Sequence, residues 1–201
     1  PVDGNQSLTI AWRPPEQLGM VAAIVHVDTG TSIRIDYTGV TEFSRIDIRV
    51  PQGAIADLSF DVPDSLRIQR ITGPHLAGWG FNEVNGKRQL RAFFSPPVTA
   101  ATQLNVQLFL DQQIDAATAV TIPTIAPLEV TRETGTIGVI APDNLAVRGG
   151  DISGLVQVNV TDALRLPRVP LFPEVPGAAK SKQPVPAYKP RLAWRYTTRP
   201  F

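Results

Sequence analysis

Two histidines, His26 and His75, and no cysteine make up the whole stock of neutral-pH bases and soft metal ligands in this 201-residue chain. Without cysteine there is no thiolate nucleophile, no disulfide and no thiolate metal site. His26 lies inside the apolar run 21–27 and reads as a core or edge histidine; His75 follows Gly73-Pro74 and reads as a solvated turn residue. Two histidines in such different settings do not compose a metal site. Gly150-Asp151-Ile152-Ser153-Gly154 places its serine at the wrong spacing for the strained elbow of a serine hydrolase. Carboxylate pairs suited to glycoside cleavage are Asp61 with Asp64 and Glu129 with Glu133. The first pair flanks Pro63, where aspartate serves turn chemistry, and the second reads as a strand edge. Asp143-Asn144 with Asp151 offers oxygen ligands for calcium but lacks a calcium-loop spacing. Phosphate-loop and dinucleotide fingerprints are missing as well. The sequence therefore assigns no catalytic, cofactor-binding or metal residue, and the chain reads as a non-enzyme without a cofactor.

Binding chemistry has better candidates. Trp79, set between Gly78 and Gly80, and Tyr188 are the candidate carbohydrate platform, with Trp12 and Tyr196 as further flat rings. The competing reading of a tryptophan between glycines is a plug for the end of the core, its N–H bonded to backbone. From residue 165 onward the charges are Arg165, Arg168, Lys180, Lys182, Lys189, Arg191, Arg195 and Arg199 against Glu174 alone, in a chain of net charge +1. These cations are spread out instead of clustered as polyanion sites are. They read as a solvated tail touching the more acidic body, and no nucleic-acid partner is expected.

The elements that carry these residues are written in period two. Ile33, Ile35 and Tyr37 alternate with Ser32, Arg34 and Asp36; Ile46, Ile48 and Val50 alternate with Arg45, Asp47 and Arg49. Leu58, Phe60 and Val62 form a third apolar face, Leu104, Val106, Leu108 and Leu110 a fourth, and Val156, Val158 and Val160 a later one. Strands send successive side chains to opposite faces, so each run has one buried and one wet face, as in antiparallel sheets packed together. Val84-Asn85-Gly86-Lys87 carries the type I′ pair Asn-Gly and predicts a hairpin between 80–83 and 88–94. Prolines 51, 63, 74, 96, 97, 123, 127 and 142 fall at strand ends, where a missing N–H costs no ladder bond. No sustained helical stripe competes with these signals, nor does any apolar run long enough for a membrane span.

The fold class that follows is all-β, an antiparallel β-sandwich of immunoglobulin-like or enlarged form, with a proline-rich crossover near the C-terminus. A proline-marked seam at 122–127 follows about seven or eight predicted strands. Too few strands come after it for a second core, so one enlarged sandwich is expected. The expected division is a sandwich over 1–164, a proline-rich basic crossover or linker over 165–190, and a final strand over 191–201 that pairs with the sandwich or starts a next module. Prolines at 167, 170, 173 and 176 match the three-residue turn of polyproline II. They predict a stiff crossover with Leu171 and Phe172 packed down. Ile10-Ala11-Trp12-Arg13 near the start is echoed by Leu192-Ala193-Trp194-Arg195 near the end, as in an excised piece of a tandem array.

The run Glu129-Val130-Thr131-Arg132-Glu133-Thr134-Gly135-Thr136-Ile137-Gly138-Val139, then Leu164-Arg165-Leu166-Pro167 and Leu192-Ala193-Trp194-Arg195-Tyr196, resembles the tandem β-sandwich modules of long uncharacterised bacterial cell-envelope proteins. Such modules have "Arg-Glu-x-Gly" strands and a strand ending in aromatic-Arg-Tyr. The resemblance implies an extracytoplasmic, multidomain, non-enzymatic setting (periplasm, cell surface or secreted) and carries over no functional residue. The expected role is a structural or protein-interaction module. Its partners would be neighbouring modules or other envelope proteins, with polysaccharide as the alternative partner of a carbohydrate-binding module.

Overall fold

A computed structural model describes residues 22–36, 39–110, 119, 121–150, 154–163, 166 and 188–197. The strands are β1 (Ile24–Asp36), β2 (Gly39–Gln52), β3 (Ile55–Asp61), β4 (Leu66–Thr72), β5 (Leu76–Val84), β6 (Lys87–Val98), β7 (Ala101–Leu110), β8 (Ala126–Pro127), β9 (Arg132–Pro142), β10 (Val156–Gln157) and β11 (Tyr188–Tyr196). A single helical turn, α1 (Val160–Ala163), follows β10. The strands form a seven-stranded sheet in the order β10-β11-β9-β1-β2-β7-β4 and a four-stranded sheet in the order β5-β6-β3-β8. Together they make a β-sandwich.

Alternation sets the register of the core. Val27, Ile46 and Leu104 come from three adjacent strands of the large sheet, and Leu58, Phe60, Leu90 and Ala92 from β3 and β6 of the small one; all are buried. Phe60, Ile48, Leu108 and Ala92 are wholly inaccessible. A buried carboxylate interrupts this apolar face. Glu42, opposite Leu108, is buried, and its Oε1 accepts a 3.0 Å hydrogen bond from the Ser44 hydroxyl, which is in turn 2.9 Å from that of Thr31. Placing a polar group there is tolerable only with such partners.

The hairpin expected at Asn85-Gly86 forms. Asn85 has φ 54° and Gly86 φ 73°, the left-handed pair that a type I′ turn requires. Strands before and after the proline seam share one sheet, since β9 lies directly beside β1 while β8 pairs with β3. The antiparallel β-sandwich expected from the sequence is present, with one pair departing from the antiparallel pattern. The β1–β9 pair is parallel, because the chain crosses from the small sheet back to the large one between β8 and β9.

A correction concerns 155–160, predicted as a strand with a buried valine face. Only Val156–Gln157 is strand, and Val156 is 68% exposed. The Asn159 side chain accepts the Thr161 amide at 3.0 Å, the capping bond that starts a helical turn and ends the alternation. The final strand begins at Tyr188, before the expected 191, and lies between β9 and β10. Leu192–Arg195, one half of the terminal echo, is part of it; the other half, the proline tract at 167–176 and Trp12 lie outside the described residues. Among the described residues no helix is long and apolar enough to cross a membrane.

Candidate interaction surface

Among the described residues, the β5–β6 hairpin carries the large aromatic rings left exposed: Trp79, Phe81 and Phe93. In β5, Trp79 stands opposite Ala92 and Phe81 opposite Leu90. Cross-strand partners share a face, so both rings sit on the face that Leu90 and Ala92 bury in the core. Yet Trp79 is 39% and Phe81 40% exposed. Among the described residues β5 is the last strand of its sheet, and at that edge the core face runs out to solvent. The two rings meet edge to face, with centroids 5.8 Å apart and planes at 86°.

Phe93 occupies the opposite face of the hairpin. Leu90, Ala92 and Phe94 point to the core, so alternation turns Phe93 outward, where it is 42% exposed. Its partner across the pair is Gly78, and Arg91 is opposite Gly80. A Cβ built on either glycine would meet nothing within 4 Å, so the outward face of β5 is bare backbone beside Phe93 and Arg91.

Two arginines hold the rings. The Arg88 guanidinium lies 3.7 Å from the Phe81 ring centre and donates to the Leu66 carbonyl on β4 at 3.4 Å, bridging the two sheet edges. Arg91 lies 5.2 Å from the Phe93 ring centre and grips Asp57 with two hydrogen bonds of 2.9 Å. That hydrogen bond, with the Asp57 charge behind it, raises the guanidinium pKa above its ordinary value, so the cation is permanent. Guanidinium stacking on aromatic faces fixes ring orientation, and exposed aromatics with arginine are the composition of interface hot spots.

Tyr188 is placed elsewhere. It is half-buried on β11, in the large sheet, facing away from the core. Its hydroxyl donates to Asp36 at 3.3 Å, and Arg34, itself 3.3 Å from Asp36, lies 5.7 Å from the ring centre. Burial first, then the Asp36 charge, raises the phenol pKa. Trp79 and Tyr188 thus belong to different sheets and do not form one flat platform; nor do Trp79 and Phe81, at right angles. Tyr196, the other described tyrosine named from the sequence, is buried, and its hydroxyl donates to Glu133 at 3.1 Å.

The remaining sequence candidates are dispersed. His26 is on the outward face of the central strand β1, paired with Arg49 and Arg132, and so on neither the core face nor an edge strand; Val25 and Val27 take the core face and turn it out. His75 is an exposed turn residue with φ 62°, and its carbonyl accepts the Ser95 amide. Asp143 is occupied by cations, at 2.8 Å from Lys189 and 3.3 Å from Arg191; Asp151 lies outside the described residues. The Lys189 hydrogen bond lowers the Asp143 pKa. Among the described residues no three histidines or acids are grouped to hold a metal ion.

Phe81, Phe93, Arg88 and Arg91 were missed by the sequence reading. The signal was present, since a hairpin that buries Leu90, Ala92 and Phe94 must expose Phe93 and Arg91. No family model matches the chain, and no curated protein matches it. Among solved structures it is similar to a non-cellulosomal cohesin from the hyperthermophilic archaeon Archaeoglobus fulgidus, with 12% identity, 58% of this chain and 91% of that chain covered, and a TM-score of 0.36. A likeness of that depth leaves function to be argued from the geometry of the chain itself.

Proposed function

We propose that the chain is a non-enzymatic protein-interaction module of a larger bacterial cell-envelope or secreted protein, working outside the cytoplasm, with the β5–β6 hairpin as its contact surface. The observation that carries this is the set of three rings, Trp79, Phe81 and Phe93, each about two-fifths exposed on one hairpin and two of them held under arginines. Burying the exposed two-fifths of each ring against a partner is worth on the order of 1 kcal/mol apiece. The extracytoplasmic setting draws support from the family resemblance.

Polysaccharide is the rival ligand, and Trp79 is the residue both readings share. The right-angled Trp79–Phe81 pair favours a partner with side chains that fit between rings over a flat sugar. A displayed peptide library and a glycan array, each probed with the full chain and with its Trp79→Ala/Phe81→Ala variant, separate the two. Peptide ligands that the double substitution abolishes are expected. Glycan binding that depends on Trp79, without peptide ligands, would sink the protein-interaction reading.

A further inference from the structure

Resting on that reading, we infer that the partner adds to the free edge of β5 as an extended strand, and that its side chains alternate apolar and acidic. The backbone comes first. In a two-residue hairpin the closing pair, here Val84 and Lys87, exchanges both main-chain bonds, and bonded and unbonded pairs alternate from there. Asn82 and Gly80 therefore bond inward to Gln89 and Arg91. The N–H and C=O groups of Trp79, Phe81 and Glu83 point off the sheet.

Sheet edges are normally blunted by lysine, proline or a covering element. β5 has no lysine and no proline along its nine residues, and among the described residues nothing pairs with its outer side. Six main-chain groups in register make a template for strand addition.

The two faces of β5 then dictate the incoming side chains. On the core face they lie against Trp79 and Phe81, so they are apolar. On the outward face, beside Phe93 and Arg91, β5 offers Gly78 and Gly80, with open space above both; Asn82 and Val84 follow on the same face nearer the turn, opposite Gln89 and Lys87. Over those two glycines the incoming strand's side chains face β6 across about 10 Å, two strand spacings, with no β5 side chain between. A glutamate and an arginine reach across that distance, and Arg91, opposite Gly80, stands on that face of β6 with its guanidinium shared with Asp57.

Charge makes the same choice. The hairpin from residue 76 to 98 carries Lys87, Arg88 and Arg91 against Glu83 alone, a net +2 where the whole chain is +1. A second copy pairing β5 with β5 would bring two such segments together, and like charges disfavour it. An acidic strand is drawn in.

The test uses the full chain and three short synthetic peptides: one alternating valine and glutamate, one alternating valine and lysine, and the first with its backbone N-methylated at every second residue. Isothermal titration calorimetry reads binding. The valine–glutamate peptide is expected to bind, more weakly as salt rises. The lysine peptide is expected not to bind, and the N-methylated one to lose about tenfold or more, the scale of one or two net hydrogen bonds. Glu83→Pro removes an outward N–H and leaves all three rings in place; it is expected to weaken binding by a similar factor, with the far-ultraviolet spectrum confirming that the chain still folds.

Equal binding by the N-methylated peptide and by the Glu83→Pro variant overturns strand addition while leaving the interaction surface standing. Binding by none of the peptides, while the library still yields ligands dependent on Trp79, overturns the strand and its chemistry alone; failure of both overturns both. Concentration-dependent dimers in sedimentation, abolished by Glu83→Pro, would make a second copy the occupant and contradict the acidic strand.

Discussion

The chain uses aromatic residues in two opposite ways at its two ends. Around β9 and β11, Trp194 and Tyr196 are buried on the core face, and the Tyr196 phenol lies across Gly135 to reach Glu133. A Cβ on Gly135 would come within 2.5 Å of that phenol and 2.6 Å of the Thr29 carbonyl. On the β5–β6 hairpin, Trp79 and Phe81 share the core face of their sheet but hang past its edge, and arginines hold Phe81 and Phe93 without covering them. At the first end the rings hold the fold together, and at the second they are displayed. The difference lies in what stands opposite each ring. Trp194 and Tyr196 face the core from a strand with neighbours on both sides, whereas Trp79 and Phe81 sit on an edge strand and Phe93 faces outward.

This contrast can be broken by substitution. The largest effect is expected from Trp194→Ala, which empties a core site and should cost about 3–5 kcal/mol in urea denaturation. Trp79→Ala is expected to cost only about 1 kcal/mol, the centre of the range for point substitutions. Equal losses at the two tryptophans would erase the distinction. Gly135→Ala should destabilise by about 1–3 kcal/mol through overpacking against Tyr196 and the β1 backbone. Combining it with Tyr196→Ala, which opens the space, should cost less than the two losses added. Tyr196→Phe removes one hydrogen bond and should cost about 1 kcal/mol.

The smallest effect concerns pH. The Lys189 hydrogen bond holds the Asp143 carboxyl below its ordinary value of 3.8, so the folded state binds that proton less readily than the unfolded one. The contribution is present above the ordinary carboxylate range and is lost as pH falls through the lowered folded value. Both partners are exposed, so the effect on stability is small. Carbon-detected NMR titration should show the Asp143 midpoint returning toward its ordinary value in Lys189→Gln. An unchanged midpoint would remove that ion pair from the account of how β11 is held.

Much of the sandwich was legible in the sequence because alternation is a local signal. Ile46, Ile48, Leu104 and Leu108 announce their faces whatever the strand order, and Asn85-Gly86 fixes its hairpin by turn chemistry alone. The parallel β1–β9 pair was not legible, since nothing local to residues 132–142 records which strand lies alongside. The 155–160 error had a readable cause in Asn159, a helix-capping residue set inside an alternating run. Trp79 was singled out for its glycine neighbours. Its meaning changed because exposure depends on β5 being last in its sheet, a fact of topology. Glu133, Gly135 and Tyr196 were noted as fragments of two separate motifs, and the fold brings them into one contact.

The measurement that goes straight to the central claim is amide hydrogen exchange along β5 and β11, residue by residue, with and without the valine–glutamate peptide. The amides of Trp79, Phe81 and Glu83 are expected to exchange fast in the free chain and to slow when the peptide is added, while Ala193 and Trp194 stay protected throughout. Protection of those three β5 amides in the free chain would mean that the edge is already covered, and would contradict the reading of the hairpin as a surface kept open for a partner.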